Sequence, residues 1–335
     1  MIGKQKSQLS LLDSAFSKRQ KRSRSDERLK KIEAFVDWDK LEGICKQAFS
    51  GTKLGRPTIP IKISLKCLIL QYLYNLSDPE LEDALIDRFS FQRFLGISFD
   101  EEIPDFTTHW RFRERLIKAK LLDKIFEAVL KELEKRKIIL RKGTLIDATL
   151  IEAARKPGKR NKGEDDSSEG SGINQSQRDR DATRTKKGNK YYYGYKGHIG
   201  VDQGSNVIRK RSFTSACVHD SQEMDKLVSG DERSVFADKA YAKDDLKRQY
   251  RKDGVYCGVL DKGRRGRPLG KKQKKANRKK SGVRNAVERP FAYFKKTLGY
   301  RVVRYVNLKR NELHFTFLCI IHNIQRGIAL TAFET

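Results

Sequence analysis

The sequence lacks any long apolar run. None of its 335 residues lies in an uninterrupted apolar stretch of about 18 residues, the length that predicts a membrane-spanning helix. The N-terminus has no apolar core of the signal-peptide kind, which favours a cytoplasmic protein. The five cysteines lie far apart and form no Cys-X-X-Cys pair, which argues against a zinc finger. Their odd number argues against a disulfide scaffold.

Acidic residues are also scarce relative to basic ones. The chain has 43 Asp and Glu against 73 Lys and Arg, a formal net charge of +30. A field of this sign attracts polyanions, and nucleic acid is favoured over a membrane surface because a phosphate backbone carries closely spaced charges. The length predicts about two domains.

Composition and pattern predict a helical part followed by a part that mixes strands and helices. Residues 1–32 are polar and basic and predict a flexible arm. Short helices with tight turns in 33–137 favour an all-α, helix-turn-helix-like DNA-binding domain. Residues 138–335 form the second domain. Within it, 154–190 is poor in apolar residues and predicts a disordered insert, and 261–280 predicts a basic loop.

Several residues mark helix boundaries. Ser77 and Glu80 form a capping-box pattern at the start of one helix. Gly96 is suited to end a short helix, and Asp105 is suited to cap the next. In that next helix, we expect Phe106, Trp110 and Phe112 to face the core.

The second part runs strand, strand, strand, helix, strand, helix, strand, helix. This order predicts an α/β fold similar to the ribonuclease H-like fold, with a mixed five-stranded sheet and helices on both faces. That fold places acidic residues on the first strand, after the fourth strand and on a late helix.

Two acidic residues follow apolar strand segments. Asp147 lies in the run Thr144–Ile151, and Asp238 ends the run from Val235. A carboxylate among apolar residues is costly to bury unless it binds a cation or reaches solvent. Strand ends of an α/β sheet meet at one edge, where two carboxylates can hold Mg²⁺ for phosphoryl transfer. The alternative is that each Asp is a cap or a salt-bridge partner.

A third acid, Glu288, lies in a helical pattern. Arg284 is one turn before it, and Lys295, seven residues after it, falls on the same helix face. The alternative is an ordinary surface salt-bridge ladder. Pro290 requires either a first turn or a kink at this point.

These motifs resemble those of bacterial DDE transposases of the insertion sequence five family. The likeness rests on SDPELEDALIDRFSFQRFLGIS, GTLIDATLIEA, ADKAY and RNAVERPFAYFKKTLGYRVVRY. Arg284, Glu288 and Lys295 match the family's Tyr-Arg-Glu-Lys signature, whereas Ser281 stands where the Tyr is expected. That departure affects one DNA contact and not the acidic triad.

The resemblance implies an enzyme with Asp147, Asp238 and Glu288 as catalytic residues and ligands of Mg²⁺ (or Mn²⁺). It implies cleavage of DNA strands at the terminal inverted repeats and joining of the 3′ ends to target DNA. The partners would be element ends, target DNA and further copies of the chain, in a homodimer or higher oligomer at the bacterial nucleoid. The alternatives are a catalytically inactive DNA-binding relative and a nuclease that only hydrolyses.

Basic and small polar side chains supply the candidate DNA contacts. Arginine can fork across two phosphate oxygens or a base edge, and lysine provides a mobile point charge. For the helical domain, the alternative is dimerisation with these side chains merely solvated. The candidates are Thr107, Thr108, Arg111, Arg113, Lys239, Arg284 and Lys295.

Overall fold

The structure, a computed structural model, describes residues 24–49, 59–98, 101–155, 179–242, 244–263, 266 and 268–332. The chain divides into two compact units. The first comprises residues 1–140, 204–208 and 316–335, and the second comprises 141–203 and 209–315. Residues 316–335 thus group with the helical part, although the sequence pattern placed them in the second domain.

The first unit is helical. Its described helices, apart from the final one, are α1 (Arg24–Phe35), α2 (Trp38–Lys46), α3 (Ile61–Leu73), α4 (Asp78–Asp87), α5 (Phe89–Leu95), α6 (Phe106–Lys118) and α7 (Leu122–Lys135). The final helix, α12 (Leu308–Thr331), starts in the second unit and continues in the first from residue 316.

The predicted helix boundaries are confirmed where local capping fixes them. The Ser77 side chain accepts from the Glu80 backbone N–H, and the Glu80 side chain accepts from the Ser77 N–H, which completes the capping box of α4. Gly96 follows α5 with a φ of 71°, a left-handed conformation that glycine adopts without strain. The Asp105 side chain accepts from the Thr108 N–H at the start of α6.

The prediction of a flexible arm over residues 1–32 is wrong for residues 24–32. Helix α1 begins at Arg24, and its Leu29 and Ile32 are buried. Buried Asp26 accepts two hydrogen bonds from Arg93 of α5, at 3.0 and 2.9 Å. An apolar stripe and a buried ion pair thus hold this segment, while residues 1–23 lie outside the described part of the chain.

The second unit contains a mixed sheet. Its strands are β1 (Thr144–Glu152), β2 (Thr183–Lys187), β3 (Lys190–Asp202), β4 (Ile208–Ser215), β5 (Ser234–Phe236) and β6 (Tyr256–Cys257). The order is β2-β3-β1-β5-β6, with β4 also pairing with β3. Strand β1 is antiparallel to β3 and parallel to β5, and β5 is parallel to β6. The remaining described helices are α8 (Met224–Leu227), α9 (Asp244–Lys252), α10 (Lys271–Arg284) and α11 (Glu288–Ala292).

The predicted α/β class is confirmed, but the described part of the sheet has six strands and not five. The extra strand, β2, lies inside the predicted insert 154–190. It pairs antiparallel with the start of β3. Asp179, before it, is buried, and its carboxylate is satisfied by a hydrogen bond of 2.8 Å from the Tyr195 hydroxyl. Residues 156–178 of the insert lie outside the described residues.

The predicted basic loop 261–280 is likewise helical from Lys271 on, as part of α10. Consecutive lysines are good helix formers, and the Gln273 side chain accepts from the Gly270 N–H at 3.0 Å to cap the helix start. Across the described ranges, no helix combines the length and apolarity needed to cross a bilayer. The cysteines are free thiols, and Cys45, Cys67 and Cys319 are buried.

Candidate active site

Asp147 and Asp238 lie on neighbouring parallel segments: Asp147 is the fourth residue of β1, and Asp238 lies two residues past the end of β5. The register pairs Leu145 of β1 with Phe236 of β5, and in each of these two segments the Asp follows two residues later. Neighbouring strands are separated by about 4.8 Å, which brings the two acids to the same edge. The Asp238 charge contributes to raising the pKa of Asp147, as expected for two adjacent carboxylates.

The Asp147 carboxylate is largely buried and partly neutralised. Burial raises its pKa, and two hydrogen bonds oppose that rise. Oδ1 accepts from the Ala148 backbone N–H at 2.9 Å, and Oδ2 accepts from Arg284 at 3.0 Å. The Arg284 guanidinium therefore partly compensates the charge of the largely buried Asp147 carboxylate.

Asp238 begins a short 3-10 turn over Lys239–Tyr241. Its Oδ1 accepts from the Lys239 backbone N–H at 2.7 Å, and its carbonyl accepts from the Tyr241 N–H at 3.0 Å. The Lys239 side chain is exposed beside the acid. The turn thus fixes Asp238 at the strand end and leaves Lys239 accessible to a phosphate.

The backbone is helical without a break from Arg284 to Glu288. Helix α10 ends at Arg284, a 3-10 turn covers Asn285–Val287, and α11 begins at Glu288. Pro290 is therefore in a first turn, where its missing N–H is tolerated. The Glu288 side chain is exposed, and among the described residues nothing pairs with its carboxylate.

The structure brings together two of the three predicted acids. Arg284, one turn before Glu288, contacts Asp147, which places the helix next to the acid pair. Within the described part of the chain, no three His, Cys, Asp or Glu side chains are grouped as metal ligands. The donor set of two carboxylates still fits Mg²⁺, which usually binds one or two carboxylates together with water and substrate phosphate.

Lys295 does not pair with Glu288. It lies in a π-helical turn over Tyr293–Thr297, which changes the angular spacing of successive side chains and so ends the shared face. Burial lowers the pKa of Lys295, and nearby Lys187 and Arg301 lower it further. Lys295 is therefore part of a cationic group in which the positive charges repel one another.

The predicted DNA-reading helix α6 presents a different surface from the expected one. Phe112 is buried as predicted, but Phe106 and Trp110 are exposed by 47% and 45%, which contradicts their predicted core positions. Arg113 is buried and forks onto Asp78 with two bonds of 2.6 Å, so it is not available to DNA.

Of the remaining α6 candidates, only Arg111 is exposed. The Thr107 hydroxyl donates to the Asp105 carboxylate, and the Thr108 backbone N–H does the same. The threonines therefore contribute to capping the helix, and Arg111 is the α6 side chain best placed for an external partner.

Two features of the second unit escaped the sequence reasoning. The first is the Arg284–Asp147 ion pair, because sequence spacing relates Arg284 only to residues on its own helix. The second is Tyr241, whose hydroxyl is buried without a hydrogen-bond partner among the described residues. Its position in the ADKAY motif was the only available signal. His198 is also buried, and its Nε2 is 3.0 Å from the Thr214 hydroxyl.

A mixed sheet that brings Asp147 of β1 beside Asp238, two residues past the end of β5, fits the ribonuclease H-like class of DDE-type nucleic-acid enzymes. Two family models match the chain: "Transposase domain (DUF772)" over residues 17–115 and "Transposase DDE domain" over residues 139–324. The chain therefore belongs to the transposase DDE domain family and is a DDE-type DNA transposase.

The two matches confirm the resemblance to DDE transposases and are consistent with the insertion sequence five family. Enzymes with this domain generally use divalent metal ions and act on DNA. A cryo-EM structure of a piggyBac transposase synaptic complex with hairpin DNA is similar at 10% identity, over 90% of this chain and 73% of that chain, with a TM-score of 0.47.

Proposed function

We propose that this transposase binds the terminal inverted repeats of an insertion sequence, cleaves strands at its ends and joins the 3′ ends to target DNA. The observation that carries the proposal is the parallel register of β1 and β5, which sets Asp147 of β1 beside Asp238, two residues past the end of β5. Two carboxylates at one sheet edge, in a chain of net charge +30, fit a site that handles phosphodiesters. We further propose that it acts in the bacterial cytoplasm, on DNA at the nucleoid.

We assign Asp147, Asp238 and Glu288 to the binding of Mg²⁺ or Mn²⁺, which would activate the attacking oxygen and stabilise the leaving one. Asp147 and Asp238 supply a fixed pair of oxygen ligands. Glu288 lies at the start of α11, one turn beyond the Arg284 that contacts Asp147. Its exposed carboxylate would supply the third ligand.

Arg284, Lys239 and Lys295 are assigned to DNA phosphates. Arg284 contacts Asp147, so its guanidinium is placed to hold a scissile phosphate beside the acids. Lys295 has only cations among the charged groups that shift its pKa, and a phosphate would relieve that repulsion. Helix α10 has no buried residue and carries a dense run of Lys and Arg, which suits it to track a phosphate backbone.

We assign the first unit, centred on 33–137, to recognition of the element ends and the second unit to catalysis. Arg111 is the α6 residue proposed to contact DNA. The exposed Phe106 and Trp110 on the same helix favour, as a second role for this unit, contact between copies of the chain in a dimer or higher oligomer.

The test is to incubate the full chain with labelled element ends and target DNA in Mg²⁺ and to resolve cleaved and joined products. We expect both products from the wild type and neither from Asp147→Asn or Asp238→Asn, with binding to the ends retained. Cleavage without joining would identify a nuclease. Binding without either product would identify an inactive relative.

A further inference from the structure

Strand β2 and the start of β3 form a hairpin at one edge of the sheet. Strand β1 pairs with β3 as far as Gly194, whereas β2 pairs with β3 from Gly194 to Lys190. The two-residue loop between them contains Gly188, whose φ of 60° suits a tight hairpin turn. Residues 183–193 are therefore a two-stranded ribbon that extends past the end of β1, called here the β2–β3 ribbon.

The β2–β3 ribbon is basic and carries an exposed aromatic ring. It contains four Lys or Arg and no Asp or Glu. The Tyr191 ring is 74% exposed, and the Lys186 Nζ lies 5.4 Å from its centre. The exposed cations of the ribbon are Arg184, Lys186, Lys187 and Lys190.

The next tyrosines along β3 have a structural role that Tyr191 lacks. Tyr193 and Tyr195 are buried, and both hydroxyls donate to Asp179. Lysines on an edge strand also hinder pairing with another strand, which is the plain structural explanation for them. That explanation does not account for a large aromatic ring held at the surface among cations.

The base of the ribbon is connected to the segment that holds Lys295. Glu152, which ends β1 at the base of the ribbon, forms a parallel bridge with Val302. The adjacent Arg301 donates from its side chain to the Lys295 carbonyl at 3.4 Å. Burial lowers the pKa of Lys295, and the charge of Lys187 lowers it further, which agrees with this arrangement. The ribbon cations therefore continue the cationic group to which Lys295 belongs.

The length of β3 sets the distance between the ribbon and the acids. Ile199 pairs with Asp147, and Tyr191 lies eight residues before Ile199 on the same strand. At about 3.4 Å per residue, the two positions are at most about 27 Å apart. Duplex DNA covers that length in about eight base pairs of about 3.4 Å each, and its major groove admits a two-stranded β-ribbon.

We propose that the β2–β3 ribbon is a further DNA-binding element of the second unit, which enters a groove of the duplex within about eight base pairs of the cleavage point. The inference rests on the proposed function. The ribbon cations contact phosphates and supply binding that depends on salt, whereas the Tyr191 ring packs in the groove and supplies binding that does not.

The experiment measures, by fluorescence anisotropy in a chelator, the affinity of the full chain for a labelled duplex that spans an element end and its flanking DNA. Tyr191→Ala and Lys190→Ala are compared with the wild type over a series of salt concentrations. Tyr256→Ala is the matched control for the ring, because Tyr256 is 56% exposed on β6 at the opposite edge of the sheet. Lys252→Ala, at the exposed end of α9, is the control for charge.

We expect Lys190→Ala to reduce the salt dependence of binding by about one phosphate contact. Tyr191→Ala should weaken binding about tenfold with the salt dependence unchanged, as when an aromatic anchor is removed from an interface. Both should lose hydroxyl-radical protection within about eight base pairs of the cleavage point. Both controls should bind as the wild type does, and urea unfolding should show wild-type stability for all four variants, since the altered side chains are exposed.

Wild-type affinity and salt dependence in both ribbon variants would overturn the inference and leave the proposed function standing. Equal losses in the two controls would also overturn it, because the effect would then belong to total charge or exposed area. A loss confined to a single-stranded oligonucleotide of the same sequence would contradict binding in a duplex groove. A wild-type chain that binds no duplex end would instead refute the proposed function itself.

Discussion

Arg113 distinguishes a structural arginine from a DNA-reading one. Its side chain is 4% exposed, and its two bonds of 2.6 Å to Asp78 form a fork that joins α6 to the start of α4. A third bond of 3.0 Å reaches Gln71 of α3. Arg113→Ala would therefore leave a half-buried carboxylate without its cation.

Removing one partner of a buried ion pair typically costs about 3–5 kcal/mol. Asp78 is 21% exposed, so water can recover part of that loss and we expect about 3 kcal/mol for Arg113→Ala. Arg111→Ala is the matched control, since Arg111 is exposed two residues away on the same helix. We expect it to change the free energy of unfolding by less than about 0.5 kcal/mol.

Urea unfolding followed by tryptophan fluorescence measures this difference. The chain has two tryptophans, Trp38 and Trp110, and both lie in the helical unit, so the signal reports that unit. DNA binding is measured alongside, and only Arg111→Ala should weaken it while leaving the unfolding midpoint unchanged. A folded Arg113→Ala protein of wild-type stability that has lost end binding would refute this reasoning.

The pH dependence of the same pair has a definite sign. Burial raises the pKa of Asp78, but the bonds and charge of Arg113, together with a bond from Gln71 and the nearby His109, lower it by more, so the folded pKa lies below the ordinary value. The stabilisation is therefore present above about pH 4, the unfolded value, and is lost as the pH falls through the lowered folded value. The stability gap between wild type and Arg113→Ala should narrow in acid.

Two further predictions concern the second unit. Lys295→Ala should weaken binding to DNA ends and reduce the salt dependence of that binding by about one phosphate contact. The control is Lys296→Ala, which removes an exposed charge next to it. An equal loss of affinity in both variants would show an effect of total charge and contradict a specific contact of Lys295. Gly194→Ala should destabilise this unit because the new Cβ would lie 2.1 Å from the Ile151 carbonyl oxygen. Gly282→Ala in α10 meets nothing within 4 Å and should raise the unfolding free energy by about 0.5–1 kcal/mol, as followed by circular dichroism.

The sequence by itself determined the features that depend on near neighbours in the chain. Ser77 and Glu80 are three residues apart, so their capping box forms wherever the helix lies. Apolar runs before Asp147 and Asp238 predicted buried strands, and the structure has β1 and β5 there in parallel register, although β1 continues beyond Asp147 to Glu152. The α/β class also followed, because it depends on the order of strands and helices.

Only the tertiary structure decided which similar residues are buried. Arg111 and Arg113 are the same residue type two positions apart on one helix. Only Arg113 binds the Asp78 carboxylate, which lies 35 residues earlier in the chain. The insert gave no signal for β2, because that strand is held by pairing with β3 and by the Asp179–Tyr195 bond, not by its own apolar content. Arg284 meets Asp147 across 137 residues. Such contacts depend on how distant segments pack, and local spacing carries no information about that packing.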